Sequence, residues 1–269
     1  PILCFGFDRP MHLERMLTSL ENNEESKTST VFICIDGPTK DTDLEMHSKT
    51  VKVAKKNWDF HKTNLIIRDK NLTCRTNIIA TISEVFKVHD KLIILEDDLV
   101  LGPKFLSYMN NALNIYEDEK NMWCVNGYTY RQLNNKTGAS ISKYVSPWGW
   151  ATWSDRWNIF VNQDYDKKNF ISDLSVTERK KFNMENLYDW ENIIVKNEEG
   201  KISAWDAYWY QAIYLNNGFT LYPNKSHVIN EGFDGTGMHC SDTNDWKTPL
   251  NSSETKRFPK QIKLSKLFM

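Results

Sequence analysis

The sequence predicts an α/β fold: a mostly parallel central sheet flanked by helices, followed by an irregular, aromatic-rich second half. Three observations point there. Short apolar runs alternate with segments whose apolar residues recur at helical spacing. The runs are apolar without alternation, as strands of a sheet covered on both faces are. Acids cluster where the runs stop, at Asp8, Asp36, Asp69 and Glu96-Asp97-Asp98. In open α/β sheets ligands bind outside the carboxyl ends of the strands, so the acids mark the expected site.

The elements follow in order. Ile2-Leu3-Cys4-Phe5-Gly6-Phe7 reads as the first strand, and Leu13, Met16, Leu17 and Leu20 as the buried stripe of the first helix. Thr30–Ile35 is a β-rich run that stops at Asp36-Gly37-Pro38, and a polar helix is expected to about Asn57. Asn64–Ile67 is a third strand. Ile78, Ile82, Val85 and Phe86 mark a helix, and Leu92–Leu95 is a fourth strand. Gly102-Pro103 is expected to open the next helix, with the proline in its first turn. Met122–Gly127 and Phe219–Tyr222 complete the strands that are legible. Two halves of one domain are expected: 1–125, with the parallel strands and their terminal acids, and 126–269, the aromatic-rich remainder.

Composition excludes several classes. Lys+Arg number 34 against Asp+Glu 35, a net charge of -1, which argues against nucleic-acid binding by bulk electrostatics. The five cysteines (Cys4, Cys34, Cys74, Cys124 and Cys240) contain no CxxC pair and read as reduced core residues. No apolar stretch approaches the length of a membrane span, and no signal peptide is legible. The strand that begins at Pro1 suggests a few further natural residues upstream. Ten tryptophans are many for 269 residues; they serve either as core or as platforms for sugar rings.

The segment Lys91–Leu101 is the most informative. It places three adjacent carboxylates between apolar runs, where they repel one another and lose hydration. A divalent cation with oxygen preference would relieve that conflict; a solvated acidic strand end is the plainer alternative.

Taken with its neighbours, the segment resembles the GT-A type glycosyltransferases. Ile94-Leu95-Glu96-Asp97-Asp98-Leu99 is similar to the Glu-Asp-Asp motif of the N-acetylglucosaminyltransferase I-like branch and its bacterial relatives. Phe5-Gly6-Phe7-Asp8-Arg9-Pro10 and Ile35-Asp36-Gly37 resemble the first two strand ends of that nucleotide site. Trp123-Cys124-Val125, Trp148–Trp153, Ser203-Ala204-Trp205-Asp206, Gly232-Phe233 and Gly237-Met238-His239 resemble its later segments. The resemblance spans roughly Pro1 to His239 and implies a GT-A (Rossmann-like) fold. It also implies roles. Asp98 would bind Mn²⁺ or Mg²⁺, and Glu96 and Asp97 would face the donor sugar and ribose. Asp36 would accept the imino hydrogen of uracil. Arg9 would meet the diphosphate, with Asp8 shaping its turn and Phe5 in the strand behind it. Asp206 would be the general base of an inverting reaction. Arg75 stands where the branch has a histidine near the uracil; it departs from the pattern there and is expected among the residues that bind the nucleotide-sugar.

Each residue has a plainer reading. Ser203–Asp206 fits a capping box, Asp36 before Gly37-Pro38 suits a turn, and Asp8-Arg9 suits a surface ion pair. Arg75 suits a helix start. His239 lies in a glycine-containing loop that could close on a diphosphate or help hold the metal, or be an ordinary loop. Trp148-Gly149-Trp150 is expected to line the acceptor side of the nucleotide-sugar site, though packing explains it equally.

The function expected is a metal-dependent inverting transferase. Its partners are a nucleotide-sugar donor, UDP-linked on this reading, and an oligosaccharide or lipid-linked saccharide acceptor in bacterial surface polysaccharide or lipopolysaccharide synthesis. Nucleic acid is not an expected partner. The location expected is cytoplasmic, with a lipid-linked acceptor bringing the enzyme to the inner membrane. A nucleotidyltransferase is the enzyme alternative, although Phe7-Asp8-Arg9-Pro10-Met11 lacks the glycine-rich basic loop of that class. A non-catalytic carbohydrate-binding protein is the other.

Overall fold

The computed structural model describes residues 1–130, 138–163, 170–235, 243 and 245–264. In chain order the first half comprises β1 (Ile2–Gly6), α1 (Pro10–Glu21), β2 (Thr30–Ile35), α2 (Leu44–Ala54), β3 (Lys62–Ile67), α3 (Cys74–Val85), β4 (Lys91–Leu95), β5 (Leu99–Leu101), α4 (Phe105–Ile115) and β6 (Met122–Asn126). The second half adds β7 (Ala139–Ser142), β8 (Trp150–Trp153), α5 (Ser154–Asn162), α6 (Phe170–Asp173), α7 (Val176–Phe182), α8 (Trp190–Glu198), α9 (Trp205–Leu215), β9 (Phe219–Pro223) and β10 (Val228–Asn230).

Eight strands form one sheet in the order β3-β2-β1-β4-β8-β6-β9-β7. The pairs β2–β3, β1–β2, β1–β4 and β6–β9 are parallel. β8 runs against β4 and β6, and β7 against β9. The expected mostly parallel α/β sheet is therefore observed. The strand order reverses at β1, with β2 and β4 on either side of it. That leaves a crevice at the carboxyl ends of β1, β2 and β4. β5 and β10 form a separate antiparallel pair just past β4, with Asn230 opposite Leu99.

Alternation along each strand feeds two cores. Ile2, Cys4, Val31, Ile33, Ile35, Ile93 and Leu95 point to one face, with Leu13, Met16, Leu17 and Leu20 of α1 and the apolar stripe of α4. Leu3, Phe5, Cys34, Leu92 and Ile94 point to the other, against α3, α5 and α9. The helices thus cover both faces.

Several expectations need correction. α4 starts at Phe105, so Pro103 lies in the turn before it rather than in its first turn. Trp150-Ala151-Thr152-Trp153 is an antiparallel strand in the middle of the sheet, not an acceptor loop. Trp150 is fully buried, with ring centroids 5.4 Å from Trp205 and 5.5 Å from Trp209. It is core, and no face of it is open to a nucleotide-sugar. Ser203 does not cap α9: the N-cap is Ala204, whose N–H donates to Asn197 Oδ1 at 2.8 Å and whose carbonyl accepts from Asn197 Nδ2 at 2.9 Å. A capping box does form one helix pair earlier, between Ser175 and Glu178. Cys4, Cys34 and Cys124 are buried thiols as expected, whereas Cys74 is exposed.

Candidate active site

Five segments meet at the carboxyl edge of the sheet: the turn after β1, the turn after β2, the loop before α3, the acidic segment after β4, and the segment after β10. α9 lies beside them.

Asp36 closes β2 and is buried. Its Oδ1 accepts from the N–H groups of Gly37 at 2.9 Å and Leu72 at 3.0 Å. The 70–73 loop that supplies Leu72 lies hard against Gly37: a Cβ there would stand 2.3 Å from the Lys70 carbonyl carbon. Asn71 donates to the Gly37 carbonyl at 2.8 Å, and Thr73 takes a left-handed φ of 68°, strained for a β-branched residue. His47 Nε2 lies 2.8 Å from the Asp36 carbonyl oxygen. Burial pushes the Asp36 carboxyl above its ordinary range, against the backbone N–H donors. The residue is thus more than a turn former. Two carboxylate oxygens hold about four acceptor positions, and backbone donors do not fill them all.

Arg9 is the N-cap residue of α1, yet its side chain caps nothing. It reaches across 88 residues of sequence to the acids instead. Nη2 pairs with Asp97 Oδ1, and lies 3.2 Å from Asp98 Oδ2; Nε lies 3.4 Å from Asp97 Oδ2. The Asp8-Arg9 ion pair read from the sequence is replaced by this link to the acidic segment. Asp8 remains in the turn, close enough to Asp97 to repel it.

Burial and mutual repulsion dominate the acids. The Glu96 carboxyl is held well above its ordinary range by burial first, then by Asp98, Asp206 and Asp97, with Arg9 opposing. Asp97 is pushed up to about 7 by burial, again against Arg9. Asp206, in the first turn of α9, therefore faces the same group of acids, and its Oδ1 also accepts from the N–H of Ala207 at 3.1 Å. Arg75, in the first turn of α3, stacks over the ring of Tyr208 at 4.2 Å and ties α3 to α9 just beside Asp206. Phe5 is buried in the sheet beneath the edge.

Asp98 has a neighbour the sequence did not reveal. Its carbonyl accepts from the Glu231 N–H at 2.8 Å, and a Cβ on Gly232 would stand 2.3 Å from Asp98 Oδ2. The side chain of Glu231 pairs with Arg15 at 2.7 Å and Asp234 pairs with His12 at 3.1 Å, so α1 holds this segment against the acids. Beyond it stands a half-buried aromatic group. Trp148 lies 4.6 Å from Tyr128, 5.5 Å from Phe233 and 5.9 Å from Trp246, centroid to centroid, and Tyr130 beside Trp246 is 64% exposed. Phe233 follows Gly232 directly, so this group borders the acids. His239 lies outside the described residues.

Among the described residues no three His, Cys, Asp or Glu side chains form a ready-made metal cage. The donor set nonetheless fits a hard cation: its ligating atoms are oxygens, and the carboxylates repel one another. These features define the class as an α/β protein with a Rossmann-like parallel core and an acid-and-arginine site at its strand ends.

No protein-family model and no curated protein matches the chain. Solved structures do resemble it at low identity. S. aureus TarS is 12% identical over 87% of this chain and 36% of its own, with a TM-score of 0.45. An active-site mutant of LgtC is 11% identical over 82% and 71%, with a TM-score of 0.44. A cytidylyltransferase from Leptospira borgpetersenii serovar Hardjo-bovis is 13% identical over 61% and 63%, with a TM-score of 0.38. The chain spans about a third of TarS. Among the described residues no helix is long and apolar enough to cross a membrane.

Proposed function

We propose that the chain is a metal-dependent, inverting glycosyltransferase that moves a hexosyl or N-acetylhexosaminyl group from a nucleotide-sugar, UDP-linked by preference, to a saccharide acceptor. The observation that carries the reading is the convergence of Glu96, Asp97, Asp98, Arg9 and Asp206 on the carboxyl edge of a parallel sheet, where nucleotides bind.

Asp98 would hold Mn²⁺ or Mg²⁺, which when bound neutralises a departing diphosphate as a Lewis acid. The rest is the work of this chain's own residues. Asp36 accepts the imino hydrogen of uracil through acceptor capacity that its backbone donors leave over. Arg9 offers a guanidinium fork matched to phosphate oxygens. Glu96 and Asp97 meet hydroxyls of the sugar and ribose. Asp206 takes the proton of the acceptor hydroxyl as it attacks the anomeric carbon from the face opposite the leaving group. Trp148, Phe233 and Trp246 replace Trp150 as the acceptor platform. They keep ring surface beside the site, where flat apolar faces suit a pyranose ring. The acceptor class is a growing saccharide of a bacterial surface polysaccharide or lipopolysaccharide, lipid-linked where the enzyme works at the cytoplasmic face of the inner membrane.

The test is nucleotide release from a panel of nucleotide-sugars, with Mn²⁺ and with chelator, in the presence of saccharide acceptors. Metal-dependent release of a nucleoside diphosphate from one donor is expected. Release of pyrophosphate from a nucleoside triphosphate would identify a nucleotidyltransferase instead. Sugar binding that ignores both metal and nucleotide would identify a carbohydrate-binding protein.

A further inference from the structure

We infer that Arg9 is an exchangeable internal cation: in the ligand-free chain it occupies the cation position between Asp97 and Asp98, and it gives that position up when metal and diphosphate arrive together. The inference rests on the glycosyltransferase reading for the identity of the incoming pair, but the occupancy of the acids by Arg9 stands on the geometry alone.

Arg9 touches both acids through one nitrogen. Nη2 bridges Asp97 Oδ1 and Asp98 Oδ2, and Nε adds a second contact to Asp97. The acid side chains are nearly buried, at 6% and 15% exposure, and that of Arg9 is 21% exposed. Asp98 Oδ2 is also the atom that Gly232 approaches most closely: a Cβ there would stand 2.3 Å from it. A divalent ion on that oxygen would stand beside the guanidinium, and two cations so close repel strongly. Either the metal stays away or Arg9 moves. A move of Arg9 costs α1 no cap, because its side chain takes no part in one.

Where it would go follows from charge. A nucleoside diphosphate placed at this edge brings phosphate oxygens to the guanidinium while its metal takes the carboxylates. Each cation then exchanges one anionic partner for another, and none is left unpaired. Metal alone has no such compensation, because it displaces Arg9 without giving it a new partner. Metal and nucleotide should therefore bind as a pair, each raising the affinity for the other.

The experiment is calorimetric titration at pH 8 with Mn²⁺ alone, UDP alone, and UDP in saturating Mn²⁺, on the whole chain and on Arg9→Ala and Arg9→Lys. In the wild type, Mn²⁺ alone is expected to bind weakly and UDP to bind on the order of tenfold or more tightly with the metal than without it. In Arg9→Ala, Mn²⁺ alone is expected to bind about tenfold more tightly than in the wild type, and the mutual enhancement should vanish. Arg9→Lys keeps the charge and loses the fork, and should fall between. Mn²⁺ binding without nucleotide that is no tighter in either folded variant, or too weak to measure in all three proteins, overturns the inference. Thermal melts identify a variant that fails to fold; Arg9→Lys then carries the comparison. If UDP binds none of the three, the nucleotide-sugar reading fails, while the metal-only comparison still decides whether Arg9 guards the acids.

Discussion

The carboxyl edge of the sheet and the aromatic block beneath α9 both bury polar groups, for opposite ends. At the edge, four carboxylates crowd one another, with Arg9 opposing the rise of Glu96 and Asp97. In the block, Trp209 is fully buried with ring centroids 5.5 Å from Trp150 and Trp157 and 5.6 Å from Trp123. Among the described residues the buried indole N–H groups of Trp150 and Trp190 meet no acceptor. The block tolerates unmet donors because ring packing and area outweigh them. The edge tolerates repulsion because, on the proposed reading, the repulsion is what recruits a cation. One region holds the molecule together and the other is held against its own electrostatics.

The sharpest way to separate them is to change one residue from each side of α9. Asp206→Asn should leave folding intact and lower turnover by about 10²–10⁴, the range for loss of a general base. Steady-state kinetics beside a thermal melt would check it; unchanged turnover would remove Asp206 from catalysis. Three positions on, Trp209→Ala should do the reverse. It empties the centre of the aromatic block and should destabilise the fold by about 3–5 kcal/mol, read by denaturant unfolding. A loss below about 1 kcal/mol would mean that the block is not what holds this half.

The next largest effect is with pH, where core and edge should pull in opposite directions. Burial pushes the His227 imidazole from 6.5 down to about 4. His227 is stacked on Tyr108 at 5.1 Å and has Nε2 2.9 Å from the Thr255 hydroxyl. Its folded pKa is depressed, so stability is intact above pH 6.5 and is lost as pH falls toward 4, by roughly 3 kcal/mol. Asp97 is raised to about 7. Its contribution has the other sign: present at low pH and lost as pH rises through 7. In metal-free buffer the two partly offset between pH 4 and 7. Asp97→Asn should therefore steepen the acid loss and flatten the melting temperature above pH 6, and an unchanged profile would show that Asp97 does not titrate there.

What the sequence could disclose follows the same division. The parallel strands β1 to β4 were legible because each is an apolar run stopped by a polar turn. The site acids were legible because aspartate directly after such a run is anomalous. The pairing of Arg9 with Asp97 was not legible, since no local pattern links residues 88 positions apart. Neither was the approach of Gly232 to Asp98, which β10 brings about by pairing with β5. In the second half β8 is four residues long and buried on both faces. Such a run has no period to read, and its tryptophans suited a sugar platform as well as a core. Trp148 and Trp150 are two residues apart and share a composition; only the sheet separates a half-buried ring from a fully buried one. Ser203 looked like a cap because a capping box is a local pattern, whereas Asn197, which took its place, lies at the end of another helix.

The smallest expected effect turns the comparison on two acids. Asp155 lies between Lys120 at 2.8 Å and Arg156 at 2.7 Å. Burial works against its charge, yet these partners hold its carboxyl below the ordinary range. Glu96 has the contrary setting, with burial and three neighbouring acids all raising its carboxyl. Neutralising Asp155 therefore removes attraction, and neutralising Glu96 removes repulsion. In metal-free buffer at pH 8, Glu96→Gln should raise the melting temperature by roughly 2–4 °C, about what 1 kcal/mol gives in a chain of this size. Asp155→Asn should lower it. Glu96→Gln should also weaken donor turnover, because the proposed reading sets Glu96 against hydroxyls of the donor. A fall in melting temperature for Glu96→Gln would mean that Glu96 is satisfied by its surroundings, and the edge would then be a structural network like the one around Asp155.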